Sequence, residues 1–179
     1  MADAAEAGAA VADRARREAD AYSGDNPRPL SGYVTVLIVY SALVAVTAVL
    51  AAVTGRTLPD RWRVIDLLTV TAGTHKLSRT LTKDAVTSPL RAPFTHYAGS
   101  GGPAEVHEET RQESELRHSL GELLTCPFCL DVWVATAFVI GLIFAPRLTR
   151  LVAGSFTALA GADFLQLAYA WAQQAAAGK

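Results

Sequence analysis

Apolar residues in this chain are gathered into a few long blocks rather than spread at helix or strand spacing. The most complete is 33–54, YVTVLIVYSALVAVTAVLAAVT, which carries no charge over 22 residues. As a helix rising 1.5 Å per residue it is about 33 Å long, against a hydrocarbon core of roughly 30 Å. Helices of soluble proteins average only about 11 to 12 residues, so this block predicts a membrane-spanning helix. The block 127–145, PFCLDVWVATAFVIGLIFA, has a single charge, Asp131, in its first turn, and 151–171 has a single acid, Asp163, near its middle. With Pro146, Arg147 and Arg150 as the turn between them, these two blocks predict a helical hairpin in the membrane. Within the last block Gly154, Ala158 and Ala162 recur every four residues, a small-residue stripe of the kind that lets helices approach closely in lipid.

Residues 62–82, WRVIDLLTVTAGTHKLSRTLT, are apolar in their first half and interrupted by Asp66, His75, Lys76 and Arg79. A span is favoured over a helix lying in the interface, because Lys76 and Arg79 can extend their stems toward one membrane surface. The other segments are polar. Residues 1–22 are Ala-rich with interspersed charges and predict a frayed, solvated tail, and 23–32, SGDNPRPLSG, reads as a linker. In 83–125 Pro89 and Pro93 break the chain, HYAGSGGP predicts a flexible loop, and the acid-rich stretch after it predicts an exposed helix, with Arg111/Glu115 and Glu113/Arg117 each four apart.

The fold expected is therefore all-α, a polytopic helical membrane protein of three to four transmembrane helices. Its parts are a cytoplasmic tail and linker at 1–32, spans at 33–54, 127–145 and 151–171, a spanning or interfacial helix at 62–82, and a cytoplasmic excursion with a polar helix at 83–125. With four spans, eleven basic residues (Arg14, Arg16, Arg17, Arg28, Lys76, Arg79, Lys83, Arg91, Arg111, Arg117 and Lys179) fall on one side, and five (Arg56, Arg61, Arg63, Arg147 and Arg150) on the other. Basic residues are retained on the cytoplasmic side, so both termini are expected inside a bacterial inner (cell) membrane crossed several times.

Composition narrows the function classes. A net charge of −1 offers no footprint for nucleic acid. About thirty mixed-charge residues precede the first apolar block, unlike a secretory signal, so that block is expected to stay as an anchor. Lysine occurs only at 76, 83 and 179 and arginine supplies the remaining basic residues, which with abundant alanine suggests a GC-rich bacterial genome.

Two blocks, THKLSRTLTKDAVTSPLRAPF at 74–94 and GELLTCPFCLDVWVA at 121–135, resemble the signature of a bacterial family of uncharacterised membrane proteins, domain of unknown function 1360, which includes a sporulation-associated protein of bacilli. The resemblance covers the chain from about 62 to the last helix. It implies membrane residence but no activity, cofactor or catalytic residue, and spore involvement is not carried over.

Three groups of residues are candidates for chemistry. Cys126 and Cys129, in C-P-F-C, stand at the start of a span, where Pro127 suits the first helical position and the positive helix end favours a thiolate. The tetrapeptide is similar to glutaredoxin dithiols, but it lacks their preceding strand and βαβ surroundings, leaving a membrane redox dithiol, a zinc site completed by His118 (with His96 and His107 more distant) or by a second copy, or two packed thiols. Asp163 lies at a calculated depth close to that of His75 and Lys76, which predicts an intramembrane pair, acting as a fastener or as a proton or ion relay. Lys83, Asp84, Arg91 and Phe94 are candidates for a cytoplasmic docking surface. No Ser-His-Asp set, P-loop or nucleotide fingerprint falls in its required context, and no cofactor other than zinc is suggested. The expected role is non-enzymatic association in the bilayer, with itself or another membrane protein. Dithiol redox or metal binding and ion conduction are the alternatives.

Overall fold

A computed structural model describes residues 2–24 and 28–178; residues 25–27 of the expected linker, and Lys179 of the cytoplasmic basic set, lie outside the described residues. The expected tail forms helix α1 (Ala2–Ser23), whose alanines favour the helix; from Gly8 to Tyr22 its side chains are almost all exposed, Val11 being 69% exposed. Helix α2 (Leu30–Val53) takes up the charge-free block. It stops where Gly55 adopts a φ of 65°, a left-handed backbone open to glycine, and Arg56 N donates to Ala51 O at 2.9 Å to close the last turn.

Helix α3 (Val64–Lys83) is the least apolar of the four long helices after α1. It packs along both α6 (Pro127–Phe144) and α7 (Pro146–Ala176). The core cluster joins Val70 of α3 to Leu130, Val134 and Phe138 of α6 and to Ala153 of α7. Three described helices, α2, α6 and α7, are long and apolar enough to cross a membrane. Their outer faces carry large apolar side chains in the open, such as Leu37, Val49 and Leu165. That arrangement is unfavourable in water and favourable in lipid.

Helices α3 and α7 approach closely at Gly73, where an added Cβ would stand 2.9 Å from Ala153 O. The small residue of α7 that packs on α3 here is thus Ala153, and Ala153 and Ala160 are both buried. The Gly154, Ala158 and Ala162 stripe points elsewhere: Ala158 is exposed, and a Cβ at Gly154 would meet nothing within 4 Å.

The fold is not purely α. Between α3 and α5 the chain makes a 3-10 turn (Ala85–Thr87), the short helix α4 (Ser88–Arg91) and an antiparallel pair, β1 (Thr95–Ser100) with β2 (Val106–Thr110). The glycine-rich segment expected as a flexible loop is β1 and its turn, and the helix expected for the whole acidic stretch is confined to α5 (Glu115–Thr125). Along β2 burial alternates with period two, but the inward position 108 is a glutamate, so hydrophobic alternation is absent from the sequence. Ser114 caps α5, its hydroxyl accepting from Arg117 N at 3.3 Å, which is why the helix starts there and not earlier. Helix α5 in turn seats the start of α2: Ser31 N donates to Glu115 Oε2 at 3.1 Å and Arg28 pairs with Glu122 at 3.3 Å.

Candidate functional site

The polar groups of α3 line up as a ladder facing its neighbours. At its start Arg150 of α7 donates twice to Asp66, Nε to Oδ1 at 2.8 Å and Nη2 to Oδ2 at 2.9 Å, a two-point pair that locks the beginnings of both helices together. Near mid-helix Lys76 Nζ stands 2.7 Å from Asp163 Oδ2, with the lysine side chain only 16% exposed and the aspartate half exposed. His75, the other proposed partner, is exposed and lies on a different face of the helix. Two residues on, Ser78 donates to Asp131 of α6. Thr74 Oγ1 is buried with no hydrogen-bond partner among the described residues. Of this ladder only Lys76 and Asp163 were singled out from sequence. Asp66 reads there as a break in an apolar run and Arg150 as a turn residue, because their 84-residue separation hides the partnership.

Below the ladder, Arg79 pairs at two points with Glu105, at 2.7 and 2.9 Å, and so ties the β-turn to α3. Arg91 is fully buried. Its Nε and Nη2 donate to Glu108 at 2.6 and 3.1 Å, Nη1 donates to Leu81 O and Thr87 Oγ1, and Nη2 also reaches Asp84 O and Ser88 Oγ. Burial by itself would raise the Glu108 carboxyl, but the bonds from Arg91, Ser88 and Thr95 and the guanidinium charge outweigh it and hold that carboxyl below its ordinary value. The docking surface expected from Lys83, Asp84, Arg91 and Phe94 is therefore corrected. Arg91 has no exposed surface, the Asp84 carbonyl is one of its acceptors, and half-buried Phe94 accepts Arg111 N at 2.9 Å through its carbonyl. These residues hold the hairpin to the bundle, with half-buried Lys83 in the last turn of α3.

Cys126 ends α5 and caps α6, its Sγ accepting Cys129 N at 3.2 Å, with Pro127 in the first turn. The two sulfurs are joined as a disulfide. Cys129 is exposed, and Phe128 between the cysteines is 86% exposed. His118 stands with Glu122 at 3.5 Å, one turn away on α5, and no group of three or more His, Cys, Asp or Glu able to hold a metal occurs among the described residues. The zinc site expected from Cys126, Cys129 and His118 is thus not assembled within one chain, since zinc needs about four ligands and thiolates rather than a disulfide.

Three helices long and apolar enough to cross a membrane, two of them packed on the more polar α3, together with a small hairpin head, define a helical membrane protein. More narrowly, the chain belongs to the family described as protein of unknown function (DUF1360), whose model matches residues 67–169. That stretch runs from the first turn of α3 through the hairpin and α6 into α7, so the Lys76–Asp163 and Ser78–Asp131 rungs, the Arg91 anchor and the cysteine pair lie within it, while Asp66 stands one residue before it. No curated protein and no solved structure matches the chain.

Proposed function

We propose that this protein crosses the cell membrane four times, with both ends and the hairpin head on the cytoplasmic side, and acts by association with a second copy or another membrane protein rather than by catalysis. The fourth span is α3: it runs between α6 and α7, and its ionic groups turn to partners, which is how charge is accommodated in lipid. The basic-residue bias supports the orientation. The observation that carries association is the stripe of Gly154, Ala158 and Ala162, left without a neighbour at Gly154 while Ala153 and Ala160 serve the fold. In lipid, small residues on a free helix face favour a second helix through close van der Waals contact.

The test separates association from folding. Gly154→Leu combined with Ala158→Leu and Ala162→Leu is expected to leave detergent melting unchanged while abolishing crosslinked oligomers or co-purified partners in membranes. Gly73→Ala should do the reverse, lowering stability by about 1–3 kcal/mol because its Cβ meets backbone at Ala153. Unchanged assembly in the triple variant would overturn the association reading.

The Cys126–Cys129 disulfide favours a second reading, a reversible dithiol couple in the membrane. Cytosolic thiols are kept reduced, so a disulfide on a cytoplasmic face would be a working redox pair rather than a structural staple. Trapping thiols in cells with a maleimide polymer should then show both oxidised and doubly modified forms, shifting with oxidant; a single form under all conditions would remove this reading. For Asp163, the bond from Lys76 supports a fastener between α3 and α7 over a proton or ion relay.

A further inference from the structure

At the end of the bundle away from the hairpin, α2 parts from α6. Helix α2 is held at its start by α5 and midway by Tyr40, whose hydroxyl lies 2.9 Å from Thr136 Oγ1 and whose ring meets Trp133 edge-on. Beyond that point Val44 and Ala48 of α2 face Ile140 and Ile143 of α6 across an apolar groove of about 350 Å³ with Arg56 at its end. A second cavity of about 380 Å³ adjoins it, sharing Leu58, Val139 and Ile143 in its walls, and it is lined by Arg61, Trp62, Arg63 and the Asp66–Arg150 pair. Each has the volume of a small-ligand site, commonly about 300–1,000 Å³.

The cations at this end differ from those around the hairpin. Arg28, Arg79, Arg91, Arg111 and Arg117 each face a carboxylate, whereas Arg56, Arg61 and Arg63 make no ion pair among the described residues. Asp66 is the acid in the basic cavity, and Arg150 already engages both its oxygens. The groove has aliphatic walls, and guanidinium groups without an ion pair stand at its mouth with a half-exposed tryptophan; on the four-span topology proposed above, on which this inference rests, the walls lie in the hydrocarbon and the mouth at the level of lipid headgroups. Guanidinium groups recognise phosphate oxygens at two points, and the apolar walls suit an acyl chain and offer a free ion nothing.

We propose that this joined cavity is a binding site for one anionic phospholipid, its acyl chain between α2 and α6 and its phosphate on Arg56, Arg61 and Arg63. The chain's own polar pairs do not fill the site, and the net positive charge at its mouth selects against zwitterionic headgroups.

The full chain in mild detergent, titrated with phosphatidylglycerol, phosphatidylcholine or inorganic phosphate, tests the assignment by native mass spectrometry and by melting. Phosphatidylglycerol should be retained at one per chain and raise the melting temperature saturably, while phosphatidylcholine and inorganic phosphate should do neither at the same concentration. Arg61→Gln with Arg63→Gln should weaken phosphatidylglycerol binding roughly thirty-fold, the effect of two surface cations. Because both side chains are in an exposed loop, melting without lipid should stay at the wild-type value. Ala48→Phe, which fills the groove and leaves every arginine in place, should weaken the lipid equally. Equal retention of both lipids, equal stabilisation by inorganic phosphate, wild-type binding in both variants, or an Ala48→Phe effect on oligomeric state alone would each overturn the assignment.

Discussion

The pair of Lys76 and Asp163 shows how a single charge changes meaning with its surroundings. At 2.7 Å the ammonium compensates a carboxylate whose side chain is otherwise half exposed on the surface of α7. Removing one partner leaves an unpaired group in the bundle, which at mid-membrane costs about 3 kcal/mol for lysine, while removing both leaves no charge to solvate. Asp163→Asn is therefore expected to lower detergent melting more than Asp163→Asn combined with Lys76→Met. Combining it with His75→Gln should add nothing, because His75 is exposed and outside the pair. Additive losses with Lys76→Met would sink the pairing. Residue type and calculated depth pointed to this pair from sequence, since an acid in an apolar block needs a partner. The same reasoning passed over Asp66 with Arg150 and misjudged Arg91. Nothing in PLRAPF tells a buried guanidinium from an exposed one, because its burial depends on a carboxylate seventeen residues later.

At the scale of elements, the hairpin is tied to the bundle through a carboxylate that acid removes. Glu108 is buried with its carboxyl held below the ordinary 4.5. A group lowered on folding contributes stability in full above its unfolded value and loses it as the pH falls through the lower folded value. Hairpin protection against amide exchange should therefore be flat at neutral pH and decline below about pH 4.5, the unfolded-state value, continuing down through the lowered one. Glu108→Gln is expected to cost the hairpin about 3–5 kcal/mol at pH 7, because Arg91 is left buried without its charge partner, and to flatten the acid dependence. A wild-type acid profile in that variant would show that another carboxylate governs the element. The sequence conceals this hairpin for a related reason: its inner face is held by an ion pair, so the period-two pattern that marks a strand has no apolar member at position 108, and the glycines of its turn read as flexibility.

In the whole molecule, α2, α6 and α7 follow from sequence alone, because a membrane span is a local sum over some twenty residues and needs no knowledge of neighbours. The family membership rests on local blocks in the same way, across 67–169. Tertiary structure decided what no local sum contains. It set α3 against α6 and α7, since a helix interrupted by charges is at home in a bundle only where Arg150 and Asp163 meet Asp66 and Lys76 and where Asp131 accepts from Ser78. It chose Ala153 over Gly154 as the residue pressed against α3, because the rotation of α7 about its axis is set by the whole interface and not by the spacing of small residues. It also opened the groove between α2 and α6, whose α6 wall lies far along the chain from the α2 wall and the arginines that follow it, the two meeting through helix packing alone. Burial of apolar surface is additive along the chain and can be read from it, whereas the pairing of polar groups depends on geometry between distant segments, and that geometry exists only once the helices are packed.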